Sequence, residues 1–221
     1  MVPIPEGPFL FTTPHPYVAL GASYGGENPW MLRKNVLASL TQAQETLAIR
    51  KPGWKLKLFD AYRPNDVQAF MVEWEFRQHS GGHPSSDVPE PERTRCYEKT
   101  FQIWGIPSED PKTPPPHSTG AAVDLTIADA DGREIDMGSP IDENSERSVP
   151  DYYAQSNPEA HANRQLLHDV MAAQGFRRHR VEWWHFSKGD QMWAWLGREE
   201  QPENQGMAIY GRAALLPDEV S

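Results

Sequence analysis

The hydrophobic positions of this chain fall into short blocks of clear period, separated by long polar stretches. Residues 33–50, RKNVLASLTQAQETLAIR, place Val36, Leu37, Leu40, Ala43 and Leu47 at helical spacing, and KPG at 51–53 stops the helix. WKLKLFD, residues 54–60, alternates Trp54, Leu56 and Leu58 with Lys55 and Lys57, the pattern of a half-buried strand. RPNDVQAFMVEWEFRQ restarts a helix, with Pro64 suited to its first turn and Val67, Phe70, Met71 and Trp74 as its buried face. AAVDLTIAD predicts a strand, DADG a hairpin turn and REIDM the start of the return. EAHANRQLLHDVMAAQ predicts a helix capped by Gly175, and FRRHRVEWWHF, residues 176–186, a further strand.

The stretches between these blocks read as irregular. Residues 1–31, rich in Pro and Gly, wrap the surface. Residues 80–116 form one long ordered loop with at most a short element around 97–104, and loops of that length inside a domain are usually functional. Residues 139–158 form another loop, and the tail after 197 is peripheral. The order α-β-α-loop-β-β-α-β predicts an α+β fold, with helices packed on a mostly antiparallel central sheet and long Pro-rich loops, in a single domain over 1–221.

Composition narrows the class. Proline is the outlier, 21 of 221 residues, about twice the usual share of roughly 5%. Eight tryptophans and eight phenylalanines still need burying, so these prolines mark pinned segments and not disorder. The net charge of −10 leaves no basic stripe for nucleic acid and disfavours an anionic membrane. No apolar run approaches the roughly 20 residues of a membrane span. MVPIPEGPFLF has neither the basic nor the apolar region of a secretory leader, so the cytoplasm is the expected location. The single Cys96 excludes an internal disulfide framework and a Cys-rich zinc knuckle.

Two clusters carry candidate chemistry. In VEWWHF, residues 181–186, an acid and an imidazole flank two tryptophans, and burying either group unpartnered is costly. Residues i and i+3 of a regular strand face opposite ways, so Glu182 and His185 share a site only if the strand bulges or ends there. In HSTGAAVDLTI, His117 and Asp124 would stand about 23 Å apart on a straight strand at roughly 3.3 Å per residue. A bend at Ser118–Gly120 brings His117 back beside the strand. Taken singly, the Glu182–His185 pair reads more often as a satisfied core pair, and His117 and Asp124 as a loop histidine and a strand-end aspartate that never meet. Together, two His and one Asp make a three-ligand N/O set, the usual protein share of a catalytic zinc site, with Glu182 as a non-ligating general base and the tryptophans as a dry wall. Arg63, held extended at a strand end by Pro64, is the candidate cation for a developing oxyanion. His15, His79, His83, His161, His168 and His179 read as core or surface residues.

These motifs resemble a known family. His117-x-x-Gly120-x-Ala122-x-Asp124 followed by Glu182-Trp183-Trp184-His185, with DAYRP at 60–64 and DMGSPID at 136–142, is similar to the VanX-type D-alanyl-D-alanine dipeptidases. These belong to the zinc peptidases that include D-Ala-D-Ala carboxypeptidases and the hedgehog signalling domain. The resemblance covers at least 54–186. It implies one zinc ion on His117, Asp124 and His185, Glu182 as base and proton shuttle, Arg63 on the tetrahedral intermediate, and Asp142 holding the free amino terminus of a small dipeptide. The family's serines near the substrate carboxylate are replaced here by Pro115 and Pro116, which puts strict D-Ala-D-Ala specificity in question. Two alternatives stay open: a cell-wall peptide carboxypeptidase or endopeptidase of the same superfamily, and a zinc-stabilised binding module without catalysis. Tyr17 and Tyr24 are candidates for substrate contacts from 1–31.

Overall fold

A computed structural model describes residues 1–200, 203 and 206–213. Five strands form the central sheet: β2 (Leu10–Phe11), β4 (Lys55–Asp60), β5 (Ala122–Ala128), β6 (Arg177–Arg178) and β7 (His185–Ser187), in the order β2-β4-β5-β7-β6. The β2–β4 pair is parallel and the other three pairs are antiparallel. A separate two-stranded ribbon pairs β1 (Val2–Pro3) with β3 (Met31–Leu32). The helices are α1 (Pro16–Ala19), α2 (Lys34–Arg50), α3 (Asn65–His79), α4 (Glu92–Thr100), α5 (Pro158–Ala172) and α6 (Gln191–Glu200). No helix among the described residues is long and apolar enough to cross a membrane.

The strongly periodic segments behave as their patterns require. In β4, Leu56 and Leu58 are buried and pack with Leu40, Ala43 and Leu47 of α2 and with Leu167 and Val170 of α5. Every residue of β5 is buried, as a central strand covered on both faces must be. Opposite the main core, α3 packs Val67 and Met71 against Tyr17, Tyr24 and Trp104 in a second cluster.

The irregular segments needed correction. Residues 80–116 are not one loop: they contain α4, placed earlier than the element expected around 97–104, and short 3-10 turns at Ser85–Asp87 and Pro116–Thr119. The α4 sequence ERTRCYEKT buries only Cys96 and Thr100, so it shows no apolar period; it is held by Phe76 and Val88 packing on Cys96. The return after DADG pairs only briefly, at Ala128–Glu134. The expected strand over 176–186 is a hairpin: β6 and β7 pair with each other, and residues 179–184 form the turn between them. The tryptophans explain this. Trp183 and Trp184 are both buried in the same core, which consecutive residues of a regular strand cannot do. The chain beyond β7 adds α6 and then runs back across the molecule, where Ala213 N–H donates to Ser118 O.

One buried cation ties the 137–149 loop to the body. Arg164 of α5 is fully buried, and no carboxylate among the described residues pairs with it. It donates to the carbonyls of Met137, Val149 and Arg147 and to Ser139 Oγ, and its guanidinium lies over the Trp183 and Tyr153 rings. Arg164→Ala strips these acceptors of their donors and should cost about 3 kcal/mol or more of stability in urea unfolding. Arg164→Lys, which lacks the planar fork, should recover little of it. A loss below about 1 kcal/mol for the alanine variant would remove this residue from the loop's support.

Candidate active site

Strand pairing lines up the site. Asp60 at the end of β4 is the register partner of Asp124 on β5, and Asp124 is the partner of His185 on β7. His117 precedes β5 in the 3-10 turn Pro116–Thr119. Gly120, at φ +69°, ends that turn and sends the chain into β5, the bend the sequence required. His185 opens β7, and Glu182 sits in the turn before it, so the strand starts between them and both reach one cavity. Asp142 comes from the loop anchored by Arg164. Among the described residues it is the one non-glycine residue at positive φ (64°), a position that costs backbone energy and recurs at functional sites. His117, Asp124, His185, Glu182, Arg63 and Asp142 all line one cavity of about 250 Å³.

Three ligand atoms converge. His117 Nε2 lies 3.2 Å from Asp124 Oδ2 and 3.1 Å from His185 Nδ1, which in turn lies 3.0 Å from Asp124 Oδ1. The outer nitrogens are engaged. His117 Nδ1 is 2.7 Å from the Ala61 carbonyl, which can only accept, so Nδ1 carries the proton and Nε2 turns its lone pair inward. His185 Nε2 faces Ser187 Oγ at 3.2 Å. Burial would raise the Asp124 carboxyl, but His117 and His185 outweigh it and hold the group ionised, well below the usual carboxylate range. Two buried imidazoles and a carboxylate, aimed at one point with their outer atoms fixed, fit a metal ion.

The groups around this trio are electrostatically distinct. Burial, reinforced by Asp124 and Asp142, raises the Glu182 carboxyl well above its ordinary value. Burial and Asp124 likewise raise Asp142, to about 7, and Tyr17 donates to its Oδ2 at 3.0 Å. Arg63 is held from behind: Nε donates to Asp60 Oδ2 at 2.9 Å, Nη1 to Gln68 Oε1 at 2.8 Å, and Nη2 to Tyr17 Oη at 2.9 Å and Asp124 Oδ2 at 3.2 Å. Aromatic faces of Tyr17 and Trp104 cover its guanidinium.

Sequence reasoning missed several supporting residues. Asp60 is fully buried and serves Arg63, His15, Tyr24 and His117 at once. Its only sequence signal is its place at the end of a strand, immediately before the run that leads to Arg63. Tyr17 reaches the site, whereas Tyr24 reaches only Asp60. His179, read as a core or surface residue, lines the cavity, with Nδ1 3.3 Å from Glu182 Oε1. The hairpin brings these two together: His179 N–H donates to the His185 carbonyl and closes the turn. Of the two prolines, Pro116 lines the cavity and Pro115 is buried behind it.

Comparison with known proteins agrees with this geometry. The profile of the peptidase M15 family, described as D-Ala-D-Ala dipeptidase, matches residues 11–202. A D-alanyl-D-alanine dipeptidase of Synechocystis sp. is 45% identical over 212 residues, which span 90% of this chain and 85% of the relative. Dipeptidases of the same name from Enterococcus faecium and Escherichia coli are 32% and 31% identical; the matches span 69% and 71% of this chain, and 70% and 65% of the relatives. Among solved structures, the LdcB LD-carboxypeptidase aligns with a TM-score of 0.45 at 15% identity, covering 83% of this chain and 65% of that one. With a metal-ready His117–Asp124–His185 centre and a family match over most of its length, the chain belongs to the M15 metallopeptidases, in the D-Ala-D-Ala dipeptidase family.

Proposed function

We propose that this protein is a zinc-dependent dipeptidase that hydrolyses D-Ala-D-Ala, or a closely related dipeptide, to free amino acids. The observation that carries the reading is the meeting of a His-Asp-His trio with a buried carboxyl and a guanidinium in one small cavity. The names of the relatives support the substrate class. A volume of about 250 Å³ lies below the roughly 300–1,000 Å³ usual for ligand pockets and favours a short peptide over a cell-wall strand.

His117, Asp124 and His185 would hold the zinc ion, which when bound would supply Lewis acidity and lower the pKa of water toward neutrality. Glu182 takes the proton of the attacking water and hands it to the leaving amine. Its raised affinity for protons matches both transfers. Arg63 offers positive charge where the carbonyl oxygen becomes negative. Asp60 and Gln68 hold it in advance, so no reorganisation is spent at the moment of reaction. Asp142 receives the substrate ammonium, which draws its carboxyl to the ionised form. His179 packs beside Glu182, its Nδ1 3.3 Å from Glu182 Oε1 without a hydrogen bond, and burial and His185 push its imidazole down to about 3, so it stays neutral.

The first test is D-alanine release from D-Ala-D-Ala by the zinc-loaded protein. Glu182→Gln should lower kcat by about 10²–10⁴ while zinc content is unchanged. No release from folded, zinc-containing wild type would point to a changed substrate, with Pro115 and Pro116 as the suspects, and no release from related dipeptides either would overturn the dipeptidase reading in favour of the binding module. Chelation should abolish release and lower Tm, and added zinc should restore both. Full activity after chelation would exclude the metal.

A further inference from the structure

A second cavity, of about 590 Å³, lies behind the β6–β7 turn, and His179 forms a wall of both this cavity and the catalytic one. In a chain of net charge −10 its lining is unusually basic: Arg177, Arg178 and Arg180 from the hairpin, with His168 from α5. Its carboxylates are Asp151 and Glu200.

Most of these charges have partners. Arg177 Nε pairs with Glu200 at 3.2 Å, and Arg180 with Glu199 at 2.9 Å, its guanidinium lying over Trp195. Asp151 accepts from Gln165 at 3.1 Å, and Asp169 pairs with Arg50 at 3.5 Å. Arg178 is the exception. Its Nη1 is buried without a hydrogen-bond partner, and no described carboxylate forms an ion pair with its guanidinium. Burial outweighs the distant fields of Asp151 and Asp169 and lowers its pKa from the ordinary arginine value. His168 lines the same wall, half-buried, with Nδ1 3.6 Å from Asp169 Oδ1. A half-buried guanidinium with no partner leaves donors free toward the cavity, and the planar fork of arginine is shaped for two-point contact with a carboxylate or phosphate.

We propose that this cavity is a binding site for a small oxyanion, carboxylate or phosphate, gripped by Arg178 and supported by His168. The site stands apart from the His117–Asp124–His185 centre and touches it only through His179. It does not rest on the dipeptidase reading.

The test is thermal denaturation and calorimetry of the zinc-loaded protein with inorganic phosphate and, separately, acetate. Saturable binding of either should raise Tm by roughly 3–5 °C at ten times Kd. Arg178→Gln should abolish that shift, and Arg178→Lys, with charge but no fork, should weaken binding severalfold. Both variants keep the metal centre, so anion binding there persists in them and is subtracted. A response to phosphate alone identifies a phosphate-type ligand, and one to acetate a carboxylate. No saturable binding in wild type, or an equal response in Arg178→Gln, would overturn the site.

Discussion

The arrangement depends on the register of three antiparallel strands. Pairing Asp60 with Asp124 and Asp124 with His185 sets two acids and an imidazole in a row across β4, β5 and β7. A slip of one residue anywhere in that row would turn its polar group to the other face of the sheet and bury it among leucines. The register also sets the charge balance. Two fully buried aspartates side by side would repel each other, and Arg63, reaching over from the β4–α3 connection, bonds both. Asp60 then fixes Arg63 and His117 from behind, while Asp124 faces the cavity. The candidate chemistry is therefore an outgrowth of how the sheet manages its own buried charge.

How much of this could be read from the chain follows from where periodicity exists. The helices over 34–50, 65–79 and 158–172 and the strand over 55–60 each bury a stripe, and the strand over 122–128 is a short, mostly apolar run buried throughout, so their patterns are explicit. α4 was illegible because its helix is almost wholly polar, and α6 because Gly197 sits within an otherwise amphipathic QMWAWLGREE. The 176–186 segment misled for a different reason: its apolar residues crowd toward its end, where both tryptophans enter one core and break the alternation. Even so, the requirement that Glu182 and His185 share a site already demanded a bulge or a strand end there, and the turn at 179–184 supplies the second.

The six candidate side chains were visible as motifs; of their supports only Tyr17 was singled out, without a partner assigned to it. Asp60, Gln68 and His179 are individually unremarkable residue types, and Asp60 also reaches back 45 residues to His15. Tyr17 joins Arg63 to Asp142 over separations of 46 and 125 residues. Such partners carry no local pattern, so only the folded chain reveals them. His179 is the nearest to a readable case, three residues before Glu182, yet three residues apart means a shared site only in a turn.

Pro115 and Pro116 show what was exchanged at this site. Neither can donate a hydrogen bond, so whatever donors a hydroxyl residue offers the substrate here are absent. In return the segment entering His117 has its φ angles locked, and its carbonyls are occupied: Ser118 Oγ donates to Pro115 O at 2.8 Å and Thr119 Oγ1 to Pro116 O at 2.6 Å. His117 is thus fixed on three sides, by this turn, by the Ala61 carbonyl and by Asp60. A ligand histidine held this firmly needs little ordering when a metal binds, so the stiffness favours the metal centre. On the proposed dipeptidase reading, with the substrate's carboxylate end beside these prolines, that end would be read by shape against Pro116, and shape alone separates analogues differing by a methylene only modestly, by roughly 10–200-fold. Selectivity among dipeptides should then be sharper at the amino end, where Asp142 and Tyr17 would present a charge and a hydroxyl, than at the carboxyl end.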